Sequence, residues 1–385
     1  MRICLVSSSF HPATFYGGPI SATWGLSKKL AENGYEIYVS TTNANGDEKL
    51  SVESNHFLEK ENHVFVKYYN EQIINKFSFS FLFGIWFDIK KSDIVYIQYL
   101  FHYTVLFSLL FSVFQKKKIV VCPRGSFSFF TLNNKFILIK LLWLNFFVKP
   151  FIKKIIWQAC SYLEEKDILN KFPNADVKVI NDGIDYEAFQ NSILVSRNEL
   201  LNKFTGITFN DVSNIFFSMG RLHKIKGFDV LIDAFNLLLE KDKYAKLIIA
   251  GADDGVWRKL KNQINKLNLG SSVFLIGAVN FEDKKLLFNN CDYFTLASEF
   301  ESFGIVIAEA LSCGKPVVIS NKTPWKDIQI NNCGILADNE KNSFSDAFSK
   351  IINEKYESSL IKNYVKNNYD WLVIVEKFIN LIKNK

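Results

Sequence analysis

Residues Cys291–Ser320, CDYFTLASEFESFGIVIAEALSCGKPVVIS, decide the fold. Tyr293 to Ala297 is a short apolar run of strand type, and Phe303 to Leu311 has helical spacing. Gly314 stands where a glycine ends a helix, and Pro316 to Ile319 is a second buried strand. Strand, loop, helix and strand make a βαβ unit. Glu301 lies in the loop before the helix and Glu309 about two turns inside it, with seven residues between them. A helix start offers unpaired NH groups and a positive dipole end, which suit a phosphate. A diphosphate there would have a carboxylate at each end. Glu309, among Ala308, Ala310 and Leu311, needs a polar partner, and vicinal sugar hydroxyls supply one. A plainer account makes Glu301 a solvated loop acid and Glu309 a helix residue paired locally, for example towards Lys315.

Outward from this unit, strands recur at Ile3–Ser7, Tyr35–Thr41, Val64–Tyr69, Ile94–Tyr99, Ile119–Cys122 and Val177–Ile180. They recur again at Ile215–Met219, Lys246–Ala250 and Val273–Gly277. Alternation with helical stretches predicts doubly wound parallel sheets whose ligands sit at the carboxyl ends of the strands. A length of 385 residues predicts two domains. At 48% hydrophobic and 22% charged the chain is globular, not disordered. No G-x-G-x-x-G or Walker-type loop occurs, which removes support from dinucleotide oxidoreductases and nucleotide triphosphatases. Asp253 and Asp254 are adjacent rather than in an Asp-x-Asp pattern, and a turn after a strand accounts for them; no metal and no cofactor is expected.

Six cysteines without a Cys-x-x-Cys pair read as buried thiols of a reducing compartment. The amino terminus enters a strand at once rather than a signal peptide, and no apolar run reaches the ~18 residues of a membrane span. A cytoplasmic protein is expected. Between Asp93 and Glu164 there is no acid but nine basic residues: Lys116, Lys117, Lys118, Arg124, Lys135, Lys140, Lys149, Lys153 and Lys154. Within that stretch, Phe127–Trp157 mixes aromatic and aliphatic residues with lysines. Such a segment predicts an amphipathic helix at the inner face of the cytoplasmic membrane, attracted by anionic headgroups; a pair of core helices is the alternative. Nucleic acid is not expected, because bulky aliphatics separate the basic residues.

The string ESFGIVIAEALSCGKPVV, residues 301–318, closely resembles the signature of retaining glycosyltransferases of family 4, which have the GT-B fold. The Gly-Arg-Leu and Lys-Gly-Phe arrangement at 220–228 resembles the same family. The resemblance implies two Rossmann-like domains facing a cleft: an acceptor domain over 1–185, a nucleotide-sugar domain over 186–365, and a final helix over 366–385 crossing back to pack on the first. Trp371 marks that crossing. It implies transfer of a hexosyl unit from a nucleoside-diphosphate sugar, UDP in preference to GDP, to a sugar hydroxyl with retention. The acid-free segment, by making the first domain face the membrane, fits a polyprenyl-diphosphate-linked saccharide as acceptor, in surface polysaccharide assembly.

Arg221 and Lys226 would stabilise the departing diphosphate and, with Glu301, form the catalytic set. Glu301 would contact the transferred sugar and Glu309 the ribose. Backbone NH groups at Phe303 and Gly304, together with Ile305, Gly277 and Gly18, would complete the donor site. On the acceptor side the resemblance implies Gly17, the Pro-Arg-Gly turn at Arg124, and the loop after Ile94–Tyr99. The family commonly carries histidines on that strand and loop, whereas this chain has Tyr96 and Gln98 at the two positions. His102 is a substitute for the missing histidine or a packed helix-start residue, Gly17-Gly18 a ligand loop or a tight turn, and Arg124 an acceptor contact or the partner of a surface acid. Two other functions share the architecture: a nucleotide-sugar epimerase, which would turn over donor without acceptor, and a non-catalytic subunit recruiting a partner to the membrane.

Overall fold

In chain order the first unit begins with β1 (Arg2–Val6), α1 (Gly18–Glu32), β2 (Glu36–Thr42), a short hairpin of β3 (Ala44–Asn45) and β4 (Glu48–Lys49), β5 (Leu58–Glu61) and β6 (Val64–Tyr69). It continues with α2 (Phe79–Lys90), β7 (Ile94–Gln98), α3 (Tyr103–Phe114), β8 (Lys118–Cys122), α4 (Phe129–Leu132), α5 (Ile137–Trp143), β9 (Ile155–Ala159), α6 (Tyr162–Lys171) and β10 (Asp176–Val179). The computed structural model describes every residue except 14, 16, 47, 73–76, 134, 135, 191, 192, 384 and 385. Parts of the expected glycine-bearing loop, of the basic segment (Lys135 included) and of the final helix therefore lie outside the described residues.

Among the described residues, the main sheet runs in the order β10-β9-β8-β7-β1-β2-β6-β5, parallel throughout except for β5 against β6. Parallel strands covered on both faces read as continuous apolar runs. β7, IVYIQ, is buried at every position, the glutamine included. One face carries a core in which Phe81, Ile85 and Ile89 of α2 meet Val105 and Leu109 of α3, Leu144, Val148, and Ile168 of α6. The helices α2, α3, α6 and the segment between α5 and β9 thus form one layer on that face.

The second unit, Ile184–Asp370, contains α7 (Arg197–Thr205), β11 (Ile215–Met219), α8 (Phe228–Leu238), β12 (Lys246–Ala250), α9 (Trp257–Lys266), β13 (Val273–Gly277), α10 (Phe281–Asn290) and β14 (Tyr293–Leu296). After these come α11 (Ile305–Ser312), β15 (Val317–Ser320), β16 (Gly334–Ala337), α12 (Lys341–Asn353) and α13 (Ser358–Tyr369). Its strands are parallel in the order β13-β12-β11-β14-β15-β16. The chain runs from β11 outward through β12 and β13, then returns to the other side of β11 with β14. That switch point opens between the carboxyl ends of β11 and β14, the place where doubly wound sheets take ligands.

The last helix, α14 (Trp371–Lys383), belongs with Met1–Gly183 in the first unit and packs on α1. Trp371 lies against Gly25 and Gly183, where an added Cβ would come within 2.5 and 2.3 Å of the indole. Both positions must be glycine for the ring to sit there.

One stretch differs from expectation. Phe127–Trp157 is not one amphipathic helix: α4 and α5 are short, a π turn covers Leu144–Val148, a 3-10 turn covers Lys149–Lys154, and Ile155 already belongs to β9. Pro150 lacks the NH that would continue the helical ladder, and Ile155-Ile156-Trp157 fits a buried strand better. The polar stretch around 191–214 contains α7, set by a reciprocal capping box in which Ser196 and Glu199 each bind the other's backbone NH. Among the described residues no helix is long and apolar enough to cross a membrane.

Candidate active site

Three of the sequence-predicted donor residues stand on two loops at the switch point of the second unit, and a fourth on the helix that follows. Arg221 and Lys226 follow β11, and Glu301 follows β14, while Glu309 projects from α11 after it. The first loop ends in a 3-10 turn, Lys224–Lys226, closed by Gly227 at φ 65°. A Cβ on Gly227 would fall 2.1 Å from the carbonyl oxygen of Ala297, so the glycine lets the two loops touch. The NH of Glu299 donates to the carbonyl of Ile225 at 2.8 Å, tying them together.

This approach brings Lys226 Nζ to 2.6 Å from Glu301 Oε1, with both side chains largely enclosed. The Ser298 hydroxyl donates to the same oxygen at 2.7 Å, and the Lys226 stem passes over Gly220. Lys226, expected at the diphosphate, and Glu301, expected at the transferred sugar, therefore neutralise one another. Arg221 pairs instead with Asp254 at 2.6 Å in a half-exposed contact. Such a pair is worth little in water, so the guanidinium is free to exchange its partner for a phosphate. Asp253, the neighbouring acid, accepts the NH groups of Gly255, Val256 and Trp257 at 2.9–3.1 Å and caps the start of α9. The turn explanation of the aspartate pair is the one its geometry supports.

Gly304 at φ 85° opens α11, and Ile305 is the first helical residue, so the leading NH groups of the helix have no intrahelical acceptor. Phe303 is buried against Trp325 and Tyr369, and its carbonyl accepts the Trp325 indole NH at 2.6 Å. The ring anchors the loop while the backbone beside it carries the helix start. Gly277 closes β13 at φ 77°, and its carbonyl accepts the NH of Gly251 at 2.8 Å.

Glu309 is 4% exposed and its Oε1 accepts a hydrogen bond from Lys284 Nζ at 2.6 Å. The local partner is thus Lys284 of α10, not Lys315. Glu309 Oε2 is buried with no hydrogen-bond partner among the described residues. A buried carboxylate oxygen left so costs about 1–3 kcal/mol unless something donates to it. Sequence reasoning missed Lys284, because nothing along the chain separates it from Lys285. Only the packing of α10 on α11 does.

The acceptor-side residues all lie in the first unit. Gly17 at φ 70° caps α1 and Gly18 begins it. His102 caps α3, its Nδ1 accepting from the NH of Thr104 at 3.4 Å. Gln98 is enclosed at the end of β7. Its Oε1 accepts the Arg124 Nε at 2.8 Å, and its Nε2 is buried with no hydrogen-bond partner among the described residues. Arg124 differs from the expectation of a cation held over a ligand. Its side chain is 2% exposed and its Nη1 binds Asp182 and, at 3.4 Å, Cys160 Sγ. Burial works against the guanidinium charge, but Asp182 beside it holds it fully protonated. The acid is 58 residues away in sequence, which is why no local reading found it. Beneath it Glu164 accepts the NH groups of Cys160 and Gly125, and burial pushes its pKa up against those bonds.

Residues 202–371 match the family model described as glycosyl transferases group 1. An uncharacterised glycosyltransferase of Methanocaldococcus jannaschii is 29% identical over 237 residues, which span 60% of this chain and 60% of that relative, less than two thirds of its length. A UDP-Gal:α-D-GlcNAc-diphosphoundecaprenol α-1,3-galactosyltransferase of Escherichia coli is 27% identical over 286 residues, 69% of this chain and 70% of that one. Among solved structures, HepE of Anabaena in complex with UDP-glucose superposes with a TM-score of 0.77 at 19% identity, covering 100% of this chain and 99% of the other. The fold is GT-B, and the relatives of this chain are glycosyltransferases.

Proposed function

We propose that this chain is a retaining, metal-independent glycosyltransferase of family 4. It moves a hexosyl unit from a UDP-sugar to a sugar hydroxyl of a polyprenyl-diphosphate-linked acceptor, at the inner face of the cytoplasmic membrane. The observation that carries the donor assignment is the buried, unpartnered Oε2 of Glu309, about one turn inside α11. A ribose hydroxyl donating to it would satisfy an acceptor that nothing among the described residues satisfies. The diphosphate would lie at the leading NH groups of α11, drawing Arg221 from Asp254 and sharing Lys226 with Glu301. UDP is favoured because the structurally similar HepE is held with UDP-glucose, and a lipid-linked acceptor because the galactosyltransferase relative is named for one.

In the transfer, the bond from the anomeric carbon to the diphosphate oxygen breaks as a bond to the acceptor oxygen forms on the same face. The acceptor proton passes to the leaving phosphate. Domains over 1–185 and 186–365 would supply acceptor and donor respectively, with Gly17, Gln98 and His102 on the acceptor side. Lipid contact is supported by the segment after α4, where Phe136, Leu138, Ile139 and Phe146 are each more than 60% exposed among Lys140, Lys149, Lys153 and Lys154.

The test is a thermal-shift series with UDP- and GDP-sugars on wild type, Glu309→Gln and Arg221→Ala. UDP-sugars should raise the midpoint of the wild type, and each variant should lose most of that shift. Indifference of the wild type to every donor at millimolar concentration would overturn the transferase assignment.

A further inference from the structure

The helix α2 is apolar on both sides. Phe81, Ile85 and Ile89 face the core, while Phe79, Phe83, Trp86 and Phe87 lie on the opposite side at helical spacing, Phe83 being 74% and Phe87 61% exposed. A helix apolar all round belongs in a core or in lipid, and one side of α2 is in neither. Its neighbour α3, YTVLFSLLFSVF, carries no charge at all and ends in Phe114, 74% exposed.

The two helices run side by side. Phe77 and Tyr103 meet near their starts at 4.7 Å, Trp86 and Phe111 near their ends at 5.1 Å, and Gln115 Nε2 donates to the Trp86 carbonyl. Their outward aromatic side chains therefore form a common surface rather than scattered singletons, which alone would mean nothing.

The charges around this surface are one-sided. Lys90, Lys91 and Lys116 are exposed where both helices end, and Lys117 caps α2 through the Lys90 carbonyl at 3.1 Å. Of the nearby acids, Glu71 and Asp88 are buried, Asp88 bound by Ser40, Lys67 and Tyr69, and Asp93 accepts the Arg2 NH at 2.8 Å. From residue 94 to 163 there is no acid. Because α2, α3 and the 129–154 segment share one layer over one core, their outer sides face the same way.

We propose that the outer face of the α2–α3 pair is a second foot of lipid contact. Phe79, Phe83, Trp86, Phe87 and Phe114 enter the interface of an anionic bilayer, and Lys90, Lys91 and Lys116 meet its headgroups. This extends the contact proposed for 129–154 and rests on it. Two feet set apart along one layer hold the first unit at a defined angle, where one would leave it free to roll. Apolar side chains carry binding into the acyl boundary, and lysines add salt-sensitive attraction.

The experiment is co-sedimentation of the full chain with phosphatidylcholine vesicles, with and without phosphatidylglycerol, at low and high salt. Wild type is compared with Phe83→Ser/Phe87→Ser and, in the other segment, with Phe136→Ser/Phe146→Ser. The midpoint of unfolding checks that each variant is folded, and Phe114→Ser, at a helix end, carries the test if the 83/87 double variant is not. Both double variants should lower partitioning into anionic vesicles by about tenfold. If only the 136/146 variant weakens binding, the second foot is wrong and the first stands. If the wild type binds no anionic vesicle, both fall. If Phe83→Ser/Phe87→Ser instead turns a dimer into a monomer with vesicle binding unchanged, the face is covered by a second copy and the lipid assignment is overturned.

Discussion

Glu309 and Lys284 form the most consequential pair in the second unit, since one buried oxygen is satisfied by the lysine and the other by nothing among the described residues. Replacing Lys284 by methionine should leave an enclosed carboxylate uncompensated and cost about 3–5 kcal/mol. Adding Glu309→Gln to that variant should recover part of the loss, as denaturant unfolding of the single and double variants would measure.

His223 offers a pH dependence. Its neutral Nδ1 accepts the Ile225 NH at 3.2 Å, and its pKa is lowered below 6.5, chiefly by burial, with Arg221, Lys224 and Lys226 adding to the effect against Asp254. Below pH 6.5 the unfolded chain therefore binds more protons at this residue than the folded one, so stability falls as the solution is acidified. Well above pH 6.5, where the imidazole is neutral in both states, the residue contributes no slope. His223→Asn keeps an acceptor for the turn without a proton to gain, and the wild-type midpoint should drop further than the variant's between pH 6.5 and 5.

Elements were legible where their signals are local. The apolar runs of β6, β12 and β13 and Gly314 after α11 all appear in sequence as they do in space. Where the period is ambiguous the sequence failed. From residue 127 to 157 almost every position is apolar or lysine, so no face stands out; Pro150 is a readable helix stop, but the breaks at Phe136 and Ile155 carry no local signal. The turn at Lys224–Gly227 carries its own prediction. Gly227→Ala would force both a left-handed backbone on alanine and a clash with Ala297, so it should separate the two loops and abolish the donor-induced thermal shift while secondary structure by circular dichroism persists.

In the molecule as a whole, the chain enters the second unit at Ile184 and returns to the first at Trp371. The returning helix supplies Trp371, Ile374, Val375, Phe378, Leu381 and Ile382 as buried residues, and Phe378 meets Tyr96 of β7 at 4.9 Å. Truncation after Asp370 should strip that core and expose the glycine-lined seat of Trp371. Calorimetry of the truncated chain should show the transition of the first unit lowered or absent and that of the second retained. Trp371→Ala alone should destabilise the first unit by about 3–5 kcal/mol.

The chemistry of the candidate site was written in the chain as residues of recognisable type on segments that follow apolar strands: Arg221, Lys226 and Glu301 in loops and Glu309 in a helix. Strand existence, helix starts and the places for glycine follow from neighbours a few residues apart, and one dimension suffices for them. Pairings do not. Lys226 meets Glu301 across 75 residues, Lys284 meets Glu309 across 25, and Arg124 turns inward to Asp182 across 58. Which lysine satisfies which carboxylate, and which cation is enclosed rather than offered to a ligand, depends on the order of strands in a sheet and the contact of helices laid upon it, and those are settled only when the chain has packed.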